Sequence, residues 1–277
     1  MSKFGNKEID AALDSIDKIN PFATYLSDST LSRVGGWIDT GSYVLNAIVS
    51  GSIHGGIPKG RVTMMGGESM TGKTLFVQKI LANAQKEGLI PVIFDTENAV
   101  DPEGSERMGL DVSKVKYVPC ITIEQTRNAL FKFLTAVKEK GLEGKFIIAI
   151  DSLGNLQSEL EHSRMGKDSM SSDMGTKARA MKSLMQTCTN LGATTQTTIL
   201  CTNHVYDDPT AMFPSIEKNM PGGKSIIYLP SVTIQLARKP MKSDGGKTMD
   251  AETAVGQKNY AGILIRALTR KNRFIKQ

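Results

Sequence analysis

Between Gly60 and Leu268, short apolar runs alternate with longer stretches in which apolar residues recur every three or four positions. Arg61–Met65, Ile90–Phe94, Val115–Val118, Phe146–Ile150, Thr198–Thr202, Val232–Ala237 and Gly262–Leu268 have the length and composition of strands. Lys73–Lys86, Ile123–Lys140 and Asp173–Leu191 carry the helical period, and Pro102–Gly109 reads as a short helix. In the second long helix Ile123, Leu130, Phe133, Leu134 and Val137 share a face; in the third Met174, Ala178, Met181, Met185 and Cys188 do. Phe146-Ile-Ile-Ala-Ile150 shows no polar alternation, which marks a strand buried on both faces of a parallel sheet. Strands separated by helices of this length predict right-handed βαβ units. The fold class is therefore α/β with a mainly parallel central sheet flanked by helices, and ligands belong at the strands' carboxyl ends.

Ahead of this core, Ile9, Leu13, Ile16 and Ile19 form one amphipathic helix that Asn20-Pro21 stops. It is too short to be stable alone and must dock, on its own domain or on a neighbouring protomer. Ser27 to Gly41 is rich in Ser, Thr and Gly and reads as a linker or meander. The expected division is residues 1–40 as N-terminal helix and linker, and 41–277 as the core. A chain of 277 residues, 40% apolar and 22% charged, excludes collagen-like, coiled-coil and wholly disordered classes. No run approaches the roughly 20 apolar residues of a membrane span, and the first ten residues lack the apolar segment of a secretory signal, so a cytoplasmic protein with no membrane partner is expected. Cys120, Cys188 and Cys201 fit neither a disulfide framework nor a zinc site and read as buried thiols. The net charge of +6 permits a polyanionic partner without requiring one.

Gly67-Glu68-Ser69-Met70-Thr71-Gly72-Lys73-Thr74 satisfies G-x-x-x-x-G-K-[ST] and sits between a strand and a helix. Such a loop curls so that backbone amides and a helix N-terminus face phosphate oxygens, while Lys73 reaches the β/γ-phosphates and the Thr74 hydroxyl ligates Mg²⁺. The loop, together with Leu75 behind it, is the expected ATP site. Asp151, at the end of the buried strand, has the placement of the carboxylate that holds the metal through water, although an Asp there also suits a helix cap. For the attacking water, Glu97 in Phe94-Asp-Thr-Glu97-Asn98 is the best-placed carboxylate, with Asp95 as the alternative. His54 and His162 lack partners at metal or catalytic spacing.

The phosphate loop, Asp-Thr-Glu-Asn-Ala-Val-Asp-Pro from Asp95, Ile-Asp-Ser at Asp151 and Thr202-Asn203-His204 together resemble the RecA-type recombinases. The run from Thr40, the Asp151-Ser-Leu-Gly-Asn155 segment and His204 resemble the phage UvsX members most; the resemblance spans roughly Gly41 to Phe274. It implies a RecA-like ATPase core in which Glu97 activates water and Asn203-His204 senses the γ-phosphate. Lys271 and Arg273, in Thr269-Arg-Lys-Asn-Arg-Phe274, match two cations that reach the ATP of a neighbouring protomer. Gly104 stands where the family usually has an aromatic residue near the adenine, which leaves Asp101 as the candidate polar contact. The family core continues with further strands beyond this last element, so the chain ending at Gln277 is expected to be truncated or to close its sheet with another element.

Two segments resemble the family's DNA loops: Ser158 to Ser172, and Tyr206 to Lys224 with Met220-Pro-Gly222-Gly223-Lys224 at its end. Arg164, Lys167, Arg179, Lys218 and Lys224 would supply counter-charge, Gly222 and Gly223 close backbone approach, and Met174 a wedge between bases, although Met174 also suits a core stripe. The implied function is polymerisation on single-stranded DNA and strand exchange with homologous duplex DNA. It would proceed by DNA-stimulated ATP hydrolysis in a helical filament, assisted by single-strand-binding and mediator proteins, in a host-cell cytoplasm for a phage protein. A ring-forming motor of the replicative-helicase or KaiC type shares the core, and a mediator using ATP only as an assembly switch shares the loop. The Asn203-His204 step with its Gly-Gly loop argues against the first, and Glu97 against the second.

Overall fold

The computed structural model describes residues 5–20, 22–29, 31–164, 174–207, 215–242 and 260–275, with backbone only at 174, 240–242 and 260–262. Seven strands form the central sheet: β3 (Val62–Gly67), β4 (Ile90–Asp95), β5 (Lys116–Pro119), β6 (Phe146–Asp151), β7 (Thr198–Asn203), β8 (Val232–Lys242) and β9 (Tyr260–Asn272). Their order is β5-β4-β6-β7-β3-β8-β9. All neighbours are parallel except β8 and β9, which pair antiparallel over their full lengths. The last two strands therefore extend beyond the expected Val232–Ala237 and Gly262–Leu268. Their outer halves are joined by the antiparallel ladder, which needs no apolar pattern.

Two helical layers cover the sheet. On one face α5 (Ile123–Glu139) and α7 (Met174–Thr194) press Leu130, Leu134, Met181 and Met185 onto Ile148 and Ile150 of β6. On the other, α3 (Lys73–Lys86) and α2 (Tyr43–Ser50) press Val77, Ile80, Leu81 and Leu45 onto Ile147 and Ala149. The unbroken apolar run of β6 is thus explained by burial on both faces. Trimming Leu134 to Ala would cost about 2–5 kcal/mol.

The segment Ser27–Gly41, expected as a linker or meander, carries a short strand near its end. Trp37–Ile38 (β1) pairs antiparallel with Ile57–Pro58 (β2), and Ile38 and Thr40 are fully buried. Helix α2 had no forecast; Ser42 caps it by accepting from the Leu45 N–H, and Gly51 ends it at φ 78. Helix α1 (Lys7–Ile19) forms where expected, capped by Asn6, but it buries none of its residues. Ile9, Ile16 and Ile19 remain 46, 52 and 86% exposed, so docking on its own domain is not what the structure shows. Among the described residues no helix is long and apolar enough to cross a membrane.

Candidate active site

Parallel register decides what meets at the carboxyl ends of the strands. Gly66 of β3 lies beside Asn203 of β7, and Asp95 of β4 beside Asp151 of β6. From Gly67 the chain turns through Glu68 to Thr71 into α3, with Met70 at φ 61 and Gly72 at φ 84. Gly72 takes the left-handed conformation without the Cβ penalty that Met70 bears. Thr71 Oγ1 donates to Glu68 O at 2.8 Å, and Lys73 Nζ donates to Gly67 O and Glu68 O, each at 2.8 Å. Burial pulls the Lys73 amine below the usual lysine range, opposed by the charges of Asp151, Glu97 and Glu68. A buried ammonium held by two carbonyls and by no carboxylate oxygen is poised for an incoming anion.

Thr74 Oγ1 donates to Asp151 Oδ2 at 2.8 Å, and Thr202 Oγ1 donates to Asp151 Oδ1. Burial raises the Asp151 carboxyl above its usual range against these two hydroxyls, which lower it. The hydroxyl of Thr74 and the carboxylate of Asp151 form a hard-oxygen pair of the kind Mg²⁺ takes. A cleft of about 210 Å³ opens between Met70, Lys73, Thr74, Glu97, Asp151 and His204.

The two carboxylates of the turn after β4 have different surroundings. Asp95 is buried and builds the turn: Oδ1 accepts from the Glu97 N–H at 2.9 Å, and Oδ2 from the Val100 N–H at 3.2 Å and Tyr117 OH at 3.1 Å. Glu97 instead lines the cleft, with Oε1 accepting from Ser152 Oγ at 2.7 Å and lying 3.3 Å from His204 Nε2. Ser152 is fixed in turn by Thr96, whose hydroxyl donates to Ser152 O at 2.8 Å and accepts from its N–H at 2.9 Å. Beyond His204, Asn203 Nδ2 donates to Pro221 O at 3.0 Å, so the cleft connects through two consecutive residues to the Gly222–Gly223 turn.

Other sequence-derived candidates fall elsewhere. Asp101 does not line the cleft; it caps α4 (Pro102–Arg107), accepting from the Gly104 N–H at 2.8 Å. Leu75, by contrast, stays with the site, lining the cleft from the first turn of α3 with half of its surface exposed. Lys218 does not stand free for a phosphate backbone, because its ammonium pairs with Glu68 and with Asp207. Gly222 and Gly223 lie at φ 98 and 75 just before α8 (Ser225–Tyr228), with Met181 of α7 packed against Gly222, and Lys224 is exposed beside them. Arg179 is exposed on α7, and its Nε donates to Gly175 O at 3.3 Å. Arg164 ends α6 (Glu159–Ser163), Met174 opens α7, and Lys167 lies outside the described residues.

Lys271 and Arg273 are at the far end of the sheet. Because β9 runs antiparallel, Lys271 lies beside Thr233 near the start of β8, whereas Gly67 lies beside Leu236. Lys271 Nζ donates to Tyr228 O and to Pro230 O, the latter at 2.6 Å; burial, with Arg273 nearby, brings its pKa to about 8. Arg273 is exposed. Sequence reasoning gave no role to Thr202, Ser152 or Thr96. A hydroxyl closing the otherwise apolar run Ile199-Leu-Cys201 was the available signal for Thr202.

Comparison with known proteins adds an independent line. The model of the RecA N-terminal domain family matches residues 7–263. Protein RecA of Frankia alni is 32% identical over 254 residues, which cover 90% of this chain and 69% of that protein. Protein RecA of Chlorobium chlorochromatii is 29% identical over 258 residues, covering 90% and 67%, and Protein RecA of Cutibacterium acnes is 30% identical over 219 residues, covering 79% and 59%.

Proposed function

We propose that this chain, which belongs to the RecA family, is an ATP-dependent recombinase that polymerises on single-stranded DNA and promotes strand exchange with homologous duplex. The observation that carries the reading is the Glu97 carboxylate held between Ser152 and His204 on the same cleft as Lys73 and the Thr74–Asp151 pair. Lys73, the amides of Ser69 to Thr74 and the helix N-terminus would bind the phosphates. Thr74 and Asp151 fit Mg²⁺, which when bound neutralises charge on the phosphate oxygens. Glu97 would accept the proton of the attacking water, held in place by the Ser152 hydroxyl. His204 follows Asn203, whose amide holds the Pro221 carbonyl, so a change at the cleft reaches the Gly222–Gly223 turn within two residues. His204 is also the residue that supports the finer likeness to phage recombinases.

The sheet supports completion of the site by a second protomer. Three residues of strand separate the level of Thr233 from that of Leu236, about 10 Å, and β8 stands between β9 and β3. Lys271 and Arg273 are therefore out of reach of their own phosphate loop and would act in trans, stabilising charge at a neighbour's γ-phosphate. The deciding experiment is an ATPase assay with and without single-stranded DNA. Stimulation by DNA, loss on Lys73→Ala, and partial recovery on mixing Glu97→Gln with a Lys271→Ala/Arg273→Ala double variant are expected. Recovery is expected because one mixed interface then joins an intact cleft to intact cations. Full turnover by dilute monomer would refute action in trans, and unchanged nucleotide affinity in Lys73→Ala would refute the site.

A further inference from the structure

The end of the sheet remote from the phosphate loop gathers cations that meet no carboxylate. Lys271, Arg273 and Arg61 form no ion pair among the described residues. Arg61 spends its guanidinium on backbone, donating to Gly60 O and Arg33 O, each at 2.9 Å. Burial, and after it the charge of Arg273, lowers the pKa of both Arg61 and Lys271. The backbone beside Lys271 is fixed: the Arg273 N–H donates to Ser231 O at 3.1 Å, and Asn272 joins Val49 O, 2.8 Å from its Nδ2, to the Phe274 N–H, 2.9 Å from its Oδ1. The Phe274 ring then meets Trp37 edge-on at 5.6 Å. Among the described residues Lys271 Nζ has two acceptors, the carbonyls of Tyr228 and Pro230. A neutral amine has two hydrogens for two carbonyls and keeps its lone pair, directed away from both; the third hydrogen of an ammonium has no acceptor here. Loss of one proton therefore costs no bond to the protein. Tyr228 is 63% exposed and Arg273 is exposed, so small solutes reach the amine.

We propose that Lys271 is a site of covalent acylation by acyl phosphates, in which Arg273 holds the phosphate while the Lys271 amine attacks the acyl carbon. Nζ bonds to the carbonyl carbon, the bond from that carbon to the phosphate oxygen breaks with its electron pair leaving on the oxygen, and one amine proton passes to the departing phosphate. The products are an amide and inorganic phosphate. A donor whose phosphate is bonded directly to the reacting carbonyl suits a guanidinium two residues from the nucleophile, whereas a coenzyme A thioester carries its phosphates at the far end of a long arm. At pH 7.5 a pKa of about 8 leaves about a quarter of the amine neutral, against about one part in a thousand for an ordinary lysine. Lower basicity also weakens the nucleophile, as it does for thiols, so the net gain is about tenfold. The amide carries no charge. Its effect on turnover rests on the action in trans proposed above, while the acylation itself depends only on the residues around Lys271.

The test incubates the full chain with acetyl phosphate and follows each lysine by peptide mass spectrometry, with the exposed Lys132 and Lys140 as references. At pH 7.5 Lys271 should be acetylated about tenfold faster than either. Its rate should level off above about pH 8 while the references still climb. Arg273→Gln should slow labelling of Lys271 by about threefold or more, and Arg273→Lys, which keeps the charge, should recover at least about half of the loss. With N-hydroxysuccinimidyl acetate, an uncharged donor, the same Arg273→Gln variant should lose less, because only the basicity of the amine then changes. If Arg273→Gln does not fold by circular dichroism, the pH profile and the comparison of donors on the parent chain decide. Labelling of Lys271 no faster than the references, equal slowing of the variant with both donors, or faster labelling by acetyl-coenzyme A than by acetyl phosphate overturns the proposal. A chain labelled as expected that hydrolyses no ATP refutes the recombinase reading and leaves this site standing.

Discussion

Asp151→Asn should make the ligand-free protein more stable while removing its dependence on magnesium. The Asp151 carboxylate is 7% exposed and held by two threonine hydroxyls, and Lys73 turns its ammonium to backbone carbonyls instead. Asp95 and Glu97 add negative charge nearby. An amide of the same shape keeps one oxygen for one threonine, and its NH₂ can donate to the other hydroxyl, which rotates to accept. No hydrogen bond need be lost, while a buried charge that Lys73 attracts without a direct ion pair is removed. The gain expected is about 1–2 kcal/mol, within the range for relief of a strained functional site. For a chain of this size that raises Tm by about 2–6 °C in ligand-free scanning calorimetry. With Mg²⁺ and an ATP analogue the order should reverse, because binding at 100 times the dissociation constant stabilises the parent by about 2.7 kcal/mol and the variant should bind the metal poorly. A ligand-free variant less stable than the parent by more than about 1 kcal/mol would show that the carboxylate is a structural keystone, and would refute the argument.

Glu97→Gln should keep nucleotide binding and slow hydrolysis by about 10²–10⁴-fold, whereas Asp95→Asn should chiefly loosen the turn and lower stability, since its carboxylate holds the Glu97 and Val100 amides; the reverse pattern in single-turnover assays would exchange their roles. Gly222→Ala should destabilise the fold as well as DNA binding, because the new Cβ would stand 2.7 Å from both Met181 and Ile226. Gly223→Ala, with open space but φ 75, should cost only about 1 kcal/mol of backbone strain, and equal unfolding midpoints for the two would contradict this. Lys271 should titrate near pH 8 by ¹³Cε NMR. Because its folded pKa lies below its unfolded one, the charged amine opposes folding below about pH 8, and that penalty is relieved as pH rises beyond it. A midpoint above 10 would contradict the packing of this side chain.

Legibility in the sequence follows what each residue packs against. Helix α3 occupies the forecast Lys73–Lys86 because its apolar period meets the sheet over its whole length. Helix α2 was invisible to periodicity since Tyr43 and Val44, two of its bulky apolar residues, are 70 and 72% exposed; Ser42 and Gly51 were the readable marks. The antiparallel sense of β9 has no signature in its own residues, yet it decides where Lys271 stands. At the site, chemistry tied to a motif was readable and chemistry tied to register was not. Lys73, Thr74 and Glu97 stand out in the sequence, while the hydroxyls of Thr202 and Ser152 acquire partners only when β4, β6 and β7 align. Lys218 read as a free basic residue because its partner lies 150 positions earlier.

The opposed ends of the sheet give the protomer a direction. With the cleft at one end and Lys271 and Arg273 at the other, the proposed action in trans would join identical copies head to tail, and a contact of that kind propagates as a helix unless its rotation closes. Every such row would have one cleft without cations at one terminus and one cation pair without a cleft at the other. A row of n protomers would then hold n − 1 complete sites, so a dimer would work at half capacity per subunit and long rows would approach unity. Turnover would become a count of interfaces, and severing a row once would cost one site wherever the cut falls.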